Sequence, residues 1–158
     1  MNTGHSDDAE LVAVLDRVDD PEYPGVSIRD LGMVQAVTRD ADGVVRVSLV
    51  PTFGGCPALP MIASDVRHAY VASGVTSTTD DVTVEWLDSP VWSPDRISAA
   101  GSAALAAEFT VVLRDKDGSL RCPVCGSRTV RDRSAAGPTR CRSIAWCDDC
   151  RNAVEVMR

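Results

Sequence analysis

Cys122-Pro-Val-Cys125-Gly126-Ser127 and Cys147-Asp-Asp-Cys150 decide the C-terminal fold of this 158-residue chain. Each C-x-x-C spacing lets both thiolates of one turn face a single ion. Two such turns complete the tetrahedral four-sulfur cage that zinc prefers. The 21 residues between the pairs slightly exceed the usual gap of about 15–20, an excess that an extended hairpin tip absorbs. Two disulfides, or thiols with no joint role, are the competing readings, and paired motifs at this spacing favour the metal. The expectation is a zinc ribbon over residues 109–158, held by Cys122, Cys125, Cys147 and Cys150 and too small to fold without its metal. A rubredoxin-like iron site is the variant reading. Against it, Arg151 stands where a glycine would follow the last cysteine.

Working outward, Phe109–Leu113 and Ser119–Arg121 flank Asp117-Gly118 and read as a hairpin leading into the first knuckle. Cys141 could compete for the fourth metal position, but it reads as a buried residue of a ribbon strand. Charge changes at the same place. Residues 1–107 carry 6 Arg against 16 Asp/Glu, whereas residues 108–158 carry 10 Lys/Arg against 7 acids, so the net −7 is composed of −10 and +3. Such asymmetry favours two units, expected at 7–107 and 109–158. The basic tail could touch nucleic acid through Arg128, Arg131, Arg133, Arg140 and Arg142, yet the acidic body would repel the phosphate backbone. The polar, acidic start has no signal-peptide pattern, and no run approaches the roughly 20 apolar residues of a bilayer span. The chain therefore reads as cytoplasmic, without a membrane partner. Thiols stay reduced there, and C-x-x-C pairs more often hold metal than form disulfides.

The body reads as a small α+β domain of three helices and a three-stranded sheet. Asp7 or Asp8 can cap a first helix carrying Leu11, Val12, Leu15 and Val18, which Asp20-Pro21 ends. A loop follows from Glu22 to Asp30. Leu31–Thr38 and Val44–Val50 read as strands around an Asp-Gly turn. A helix from about Pro60 to Ser73 turns Ile62, Val66, Ala69 and Tyr70 to one face, and Gly74 closes it. Val82–Leu87 alternates as a strand. Ser93 or Asp95 opens an Ala-rich helix that runs to about Ala107.

Two loops could carry chemistry. Cys56 sits in the glycine-rich turn Pro51-Thr52-Phe53-Gly54-Gly55-Cys56-Pro57 ahead of a helix, where a thiol can be activated. A single thiolate cannot hold an iron–sulfur cluster alone. From the residues, an inert buried cysteine and a functional one both stay open. Asp19-Asp20-Pro21-Glu22 offers carboxylates for a hard cation or general-base work, or is a helix stop with solvated acids. His5 and His68 allow no Ser–His–Asp arrangement, and there is no P-loop or G-x-G-x-x-G. A thiol oxidoreductase built on Cys56 would lack a nearby resolving cysteine.

Taken together, the loops resemble a known family. Asp20-Pro21-Glu22-Tyr23-Pro24-Gly25-Val26-Ser27-Ile28-Arg29-Asp30-Leu31-Gly32-Met33-Val34, Pro51–Ala58 and Asp88-Ser89-Pro90-Val91-Trp92-Ser93-Pro94-Asp95-Arg96-Ile97 resemble the ordered signatures of the SufT-type iron–sulfur cluster assembly domain. The ribbon, with Thr139-Arg140-Cys141-Arg142 between its knuckles, narrows the resemblance to the PaaD branch, accessory subunits of phenylacetyl-CoA epoxidase. Arg96 stands where that family usually has tryptophan, and Ala145 where its ribbon usually has an aromatic. The Phe109–Leu120 segment also differs from the family's short linker. The resemblance implies a non-catalytic maturation factor that handles iron or an iron–sulfur cluster transiently. Cys56 is then the reactive residue, surrounded by Asp20, Glu22 and Thr52, and the zinc ribbon docks the client. The implied partner is an iron–sulfur client, the reductase component of a multicomponent oxygenase, with a homodimer as a second way to complete the ligand set.

Overall fold

Leu11, Val14, Leu15 and Val18 bury the first helical segment, α1 (Gly4–Ala13), together with the 3-10 turn Val14–Arg17 that continues it. The computed structural model describes residues 4–158, with side chains from Ala9 onward. The backbone is helical from Gly4, so Asp7 and Asp8 lie within the helix and do not cap it. Val14 takes the inward place expected of the half-buried Val12, because the tighter 3-10 winding rotates the apolar stripe.

The stretch expected as a loop is a two-stranded hairpin. β1 (Asp19–Asp20) pairs antiparallel with β2 (Tyr23–Ser27), Asp19 opposite Ser27 and Asp20 opposite Tyr23. Tyr23 and Val26 are buried while Pro24 faces out, where its missing N–H costs no ladder bond. The hairpin continues into a tight turn, with Leu31 N–H donating to Ser27 O at 3.0 Å and Met33 N–H to Ile28 O at 3.0 Å.

β3 (Val34–Arg39) and β4 (Val45–Leu49) are antiparallel around the expected Asp-Gly turn. Gly43 takes φ +86° there, and Asp40 Oδ1 accepts the Val44 N–H at 2.9 Å. α2 (Leu59–Ala72) crosses over to β5 (Val82–Trp86), which runs parallel to β4, giving the sheet order β3-β4-β5. Val45, Val47 and Leu49 of the central strand are fully buried and alternate with Arg46 and Ser48. α2 buries Ile62, Ala63, Val66 and Tyr70. Ala69, expected on that face, is only half-buried, and Ala63 takes the place. Gly74, at φ +75°, closes α2 in a Schellman motif, with Val75 N–H on Tyr70 O at 3.1 Å and Gly74 N–H on Val71 O at 3.0 Å.

Two compact units divide between Trp92 and Ser93, whereas the sequence expectation put the junction near residue 108. The Ala-rich helix α3 (Ala99–Phe109) falls in the second unit, and its Ala106 packs on the ribbon core. Ser98 caps α3, accepting the Gly101 N–H at 2.9 Å. The expected opener Ser93 instead precedes a separate 3-10 turn at Pro94–Arg96 that holds Asp95. β6 (Val111–Val112), β7 (Val130–Ser134), β8 (Arg142–Cys147) and β9 (Ala153–Met157) form one sheet in the order β6-β9-β8-β7. The segment expected to pair with Ser119–Arg121 therefore pairs with β9, in parallel. Only the turn survives from the expected hairpin, with Gly118 N–H on Asp115 O at 2.8 Å. Val112, Leu120, Cys122, Ala145, Cys147, Val154 and Val156 make the ribbon core. Ala145 is fully buried inside it. No helix among the described residues is long and apolar enough to cross a membrane.

Candidate metal centre and candidate cluster loop

The four ribbon sulfurs converge. Cys122 Sγ lies 3.5 Å from Cys150 Sγ, Cys125 Sγ lies 3.6 Å from Cys147 Sγ, and all four fall within 4.8 Å of one another. A zinc–sulfur bond of about 2.3 Å puts tetrahedral sulfur–sulfur edges at about 3.8 Å, so the cage has the size zinc requires. Matching turns build it. Cys122 N–H donates to Ser127 O at 2.8 Å, and Cys147 N–H donates to Asn152 O at 3.0 Å. Each turn passes through a left-handed residue one place after its last cysteine, Gly126 at φ +74° and Arg151 at φ +58°. Arg151 thus adopts the glycine-like conformation, and the missing glycine no longer argues against iron.

Asn152 Nδ2 approaches Cys150 Sγ at 3.4 Å and lowers that thiol to about 6. A backbone hydrogen bond at Ser127 pulls Cys125 down, but loss of water and three neighbouring thiols push it up to about 12. Sulfurs this crowded resist sharing negative charge by themselves, and a divalent cation resolves the conflict. The donor set fits zinc in a closed structural site, where all four positions are thiolates and the ion secures the fold. Asp149, not singled out from the sequence, joins the knuckles by accepting from Ser127 Oγ and from Thr129 Oγ1. Cys141 stays outside the cage. It is half-buried just ahead of β8, with its sulfur 3.1 Å from Thr139 Oγ1, so the buried strand position expected for it is not observed.

The other candidate site is built at one end of the β3-β4-β5 sheet. Val34 opposes Leu49, and Leu49 pairs with Trp86, so the start of β3 and the ends of β4 and β5 share that end. Hydrogen bonds from Val50 N–H to Met33 O (2.7 Å) and from Leu87 N–H to Leu49 O (2.8 Å) tie them together. Three motif segments therefore emerge side by side: Ile28–Met33, Pro51–Ala58 and Asp88–Trp92. Buried Trp92 donates its indole N–H to Leu31 O at 2.8 Å, pinning the third segment to the first. In a parallel β-α-β pair, the strand carboxyl ends are where ligands bind.

Cys56 lies in the middle segment and is half-buried, not fully buried. Its N–H donates to Phe53 O at 3.0 Å and its carbonyl accepts from Leu59 N–H at 3.3 Å, which fixes its backbone. α2 starts at Leu59, with Pro60 in the first turn, where a missing N–H leaves no bond unmade. Beside Gly54 a side chain would find open space, whereas at Gly55 it would meet the Phe53 ring at 2.8 Å. Thr52 shares this loop and is half-buried. Asp20 and Glu22 stand on the β1–β2 hairpin. Asp20 is only 7% exposed and accepts the Glu22 N–H at 2.8 Å, so it is not a solvated helix stop. His68 is exposed, with Nδ1 2.8 Å from Ser64 O.

Residues 8–86 match the family described as iron–sulfur cluster assembly protein, and residues 106–158 match the PaaD zinc beta ribbon domain. The chain belongs to the iron–sulfur cluster assembly protein family, in the branch that carries a PaaD zinc ribbon. It is 31% identical over 157 residues to an Escherichia coli protein named as a component of "Putative 1,2-phenylacetyl-CoA epoxidase", covering 94% of this chain and 91% of that protein. It is 34% identical over 95 residues to the Fe-S protein maturation auxiliary factor YitW of Bacillus subtilis, covering 60% of this chain and 89% of that one. A crystal structure titled as a domain of unknown function, DUF59, from Bacillus anthracis aligns with a TM-score of 0.57 at 31% identity, over 64% of this chain and 92% of its own.

Proposed function

We propose that the protein assists the maturation of an iron–sulfur client and turns over no substrate of its own. The observation that carries this reading is the Cys56 loop, held between two other family segments at the carboxyl end of β4 and β5. Cys56 offers one thiolate to iron or to a cluster in transit. Since a cluster needs several ligands, the remaining thiolates come from the client or from a second copy of this chain. Thr52 shares the Cys56 loop, while Asp20 and Glu22 offer carboxylates from the β1–β2 hairpin. The relative named for phenylacetyl-CoA epoxidase supports an oxygenase system as the client's setting, with its reductase component as the proposed client. A cytoplasmic location suits thiols that must stay reduced.

The ribbon serves the same function as a zinc-held docking module. Nucleic-acid binding loses support, because three of the arginines it would use each have a carboxylate of their own that offsets the charge. Arg142 pairs with Glu155 at 2.6 Å, Arg131 with Asp148 at 2.8 Å and Arg128 with Asp115 at 3.4 Å. The test is anaerobic incubation of the zinc-loaded protein with ferrous iron, sulfide and thiol, followed by desalting. Iron should persist in the wild type and vanish in Cys56→Ser, with the zinc content equal in both, and cluster absorption should accompany it only where a second copy supplies the remaining thiolates. Retention of iron by Cys56→Ser would refute the role of Cys56.

A further inference from the structure

Ser143 breaks the pattern of the ribbon's inner face. β8 turns Ser143, Ala145 and Cys147 the same way, and the last two are fully buried in the core. Ser143 is 7% exposed, yet among the described residues its hydroxyl has just a long 3.5 Å bond, donated to the Val156 carbonyl. A buried hydroxyl normally makes a well-formed bond, so this one is poised for another partner. It borders a groove of about 680 Å³, lined also by Met157 and rimmed by Arg114, Arg133, Arg158 and Asp132.

The three arginines come from separate segments, after β6, within β7 and after β9. Arg133 is the extra residue of a β-bulge: Asp132 opposes Ala145 and Ser134 opposes Ile144, which leaves Arg133 outside the ladder. Bulges re-aim side chains and recur beside functional sites. Arg114 bonds Asp132 and donates to Gly118 O at 3.2 Å, while Arg158 donates to Ala135 O. Each guanidinium has five N–H groups, so these bonds leave donors over. Three guanidiniums against the one side-chain carboxylate, Asp132, leave the lining side chains net positive.

We propose that this groove binds a small phosphate-bearing molecule. Guanidinium forks match phosphate oxygens in pairs, and the Ser143 hydroxyl adds a donor at the floor. A lone carboxylate would satisfy one fork, whereas forks from three segments suit an oxyanion with several oxygens. The volume falls in the range of about 300–1,000 Å³ typical of small-molecule sites. The site stands on the second unit alone and does not depend on Cys56.

Inorganic pyrophosphate, titrated into the full-length zinc-loaded protein by calorimetry and amide NMR, tests this. Saturable binding is expected, with the largest shifts at Arg133, Ser143 and Met157 and no change in zinc content. Arg133→Gln should weaken binding about tenfold, the effect of losing one charge-assisted contact. Ser143→Ala should weaken it less. Absence of saturation at millimolar pyrophosphate, unchanged affinity in Arg133→Gln, or shifts confined elsewhere would overturn the proposal. Citrate binding as tightly as pyrophosphate would overturn the phosphate assignment.

Discussion

Trp92 and Tyr70 each join distant parts of the first unit through one hydrogen bond. Trp92→Phe keeps the ring but leaves the Leu31 carbonyl without its indole donor, in surroundings that exclude water. The unmet acceptor should cost about 1–3 kcal/mol, read as a lower urea midpoint. Tyr70 donates to the Leu11 carbonyl at 2.8 Å, and burial raises its phenol well above the ordinary value. A raised folded-state value means that the unfolded chain releases this proton first. The Tyr70 contribution is therefore intact below about pH 10 and is lost as pH climbs toward the folded value. Lys116 is the only lysine, so lysine deprotonation adds little to the same range. Tyr70→Phe should lower stability at neutral pH by about 1 kcal/mol and remove this part of the alkaline decline. Urea midpoints on both sides of the phenol transition check both effects. Tyr70 was legible from helical spacing. The Trp92 bond was not, because no periodicity links a residue after β5 to a carbonyl before β3.

Among the elements, the zinc knuckles show what spacing reveals and what it conceals. C-x-x-C spacing pointed to the cage, but not to the Asp149 bridge or to the left-handed Arg151, since backbone angles leave no mark in spacing. A non-glycine residue in that conformation is strained. Arg151→Gly should therefore stabilise the ribbon by about 1 kcal/mol, seen as slower zinc loss to a chelator. The β1–β2 hairpin was hidden for another reason. Pro21, Pro24 and Gly25 signal a loop, and only pairing of Asp19 with Ser27 makes it a strand pair. Likewise α3 looked continuous with the body because its alanines mark no boundary, while the packing of Ala106 on the ribbon core goes with its place in the second unit.

At the scale of the molecule, each unit has its own core. The first buries Val45, Val47, Leu49, Ile62 and Tyr70, whereas the second builds Cys122 and Cys147 into its core. Chelation, or Cys147→Ser, should unfold the ribbon while the amide spectrum of the first unit persists. Collapse of both units together would refute that independence. Composition and motif order made the two-part plan legible, and the resemblance assigned the class. The convergence of three motif loops at one sheet end required the pairing of β4 with β5. That convergence makes Cys56 the centre of the functional account. Its most direct test is the iron and sulfide content of the proposed client reductase purified from cells producing either wild-type protein or Cys56→Ser. In the Cys56→Ser cells the client should be largely without its cluster, with normal zinc and normal levels of the variant. A fully loaded client there would contradict it.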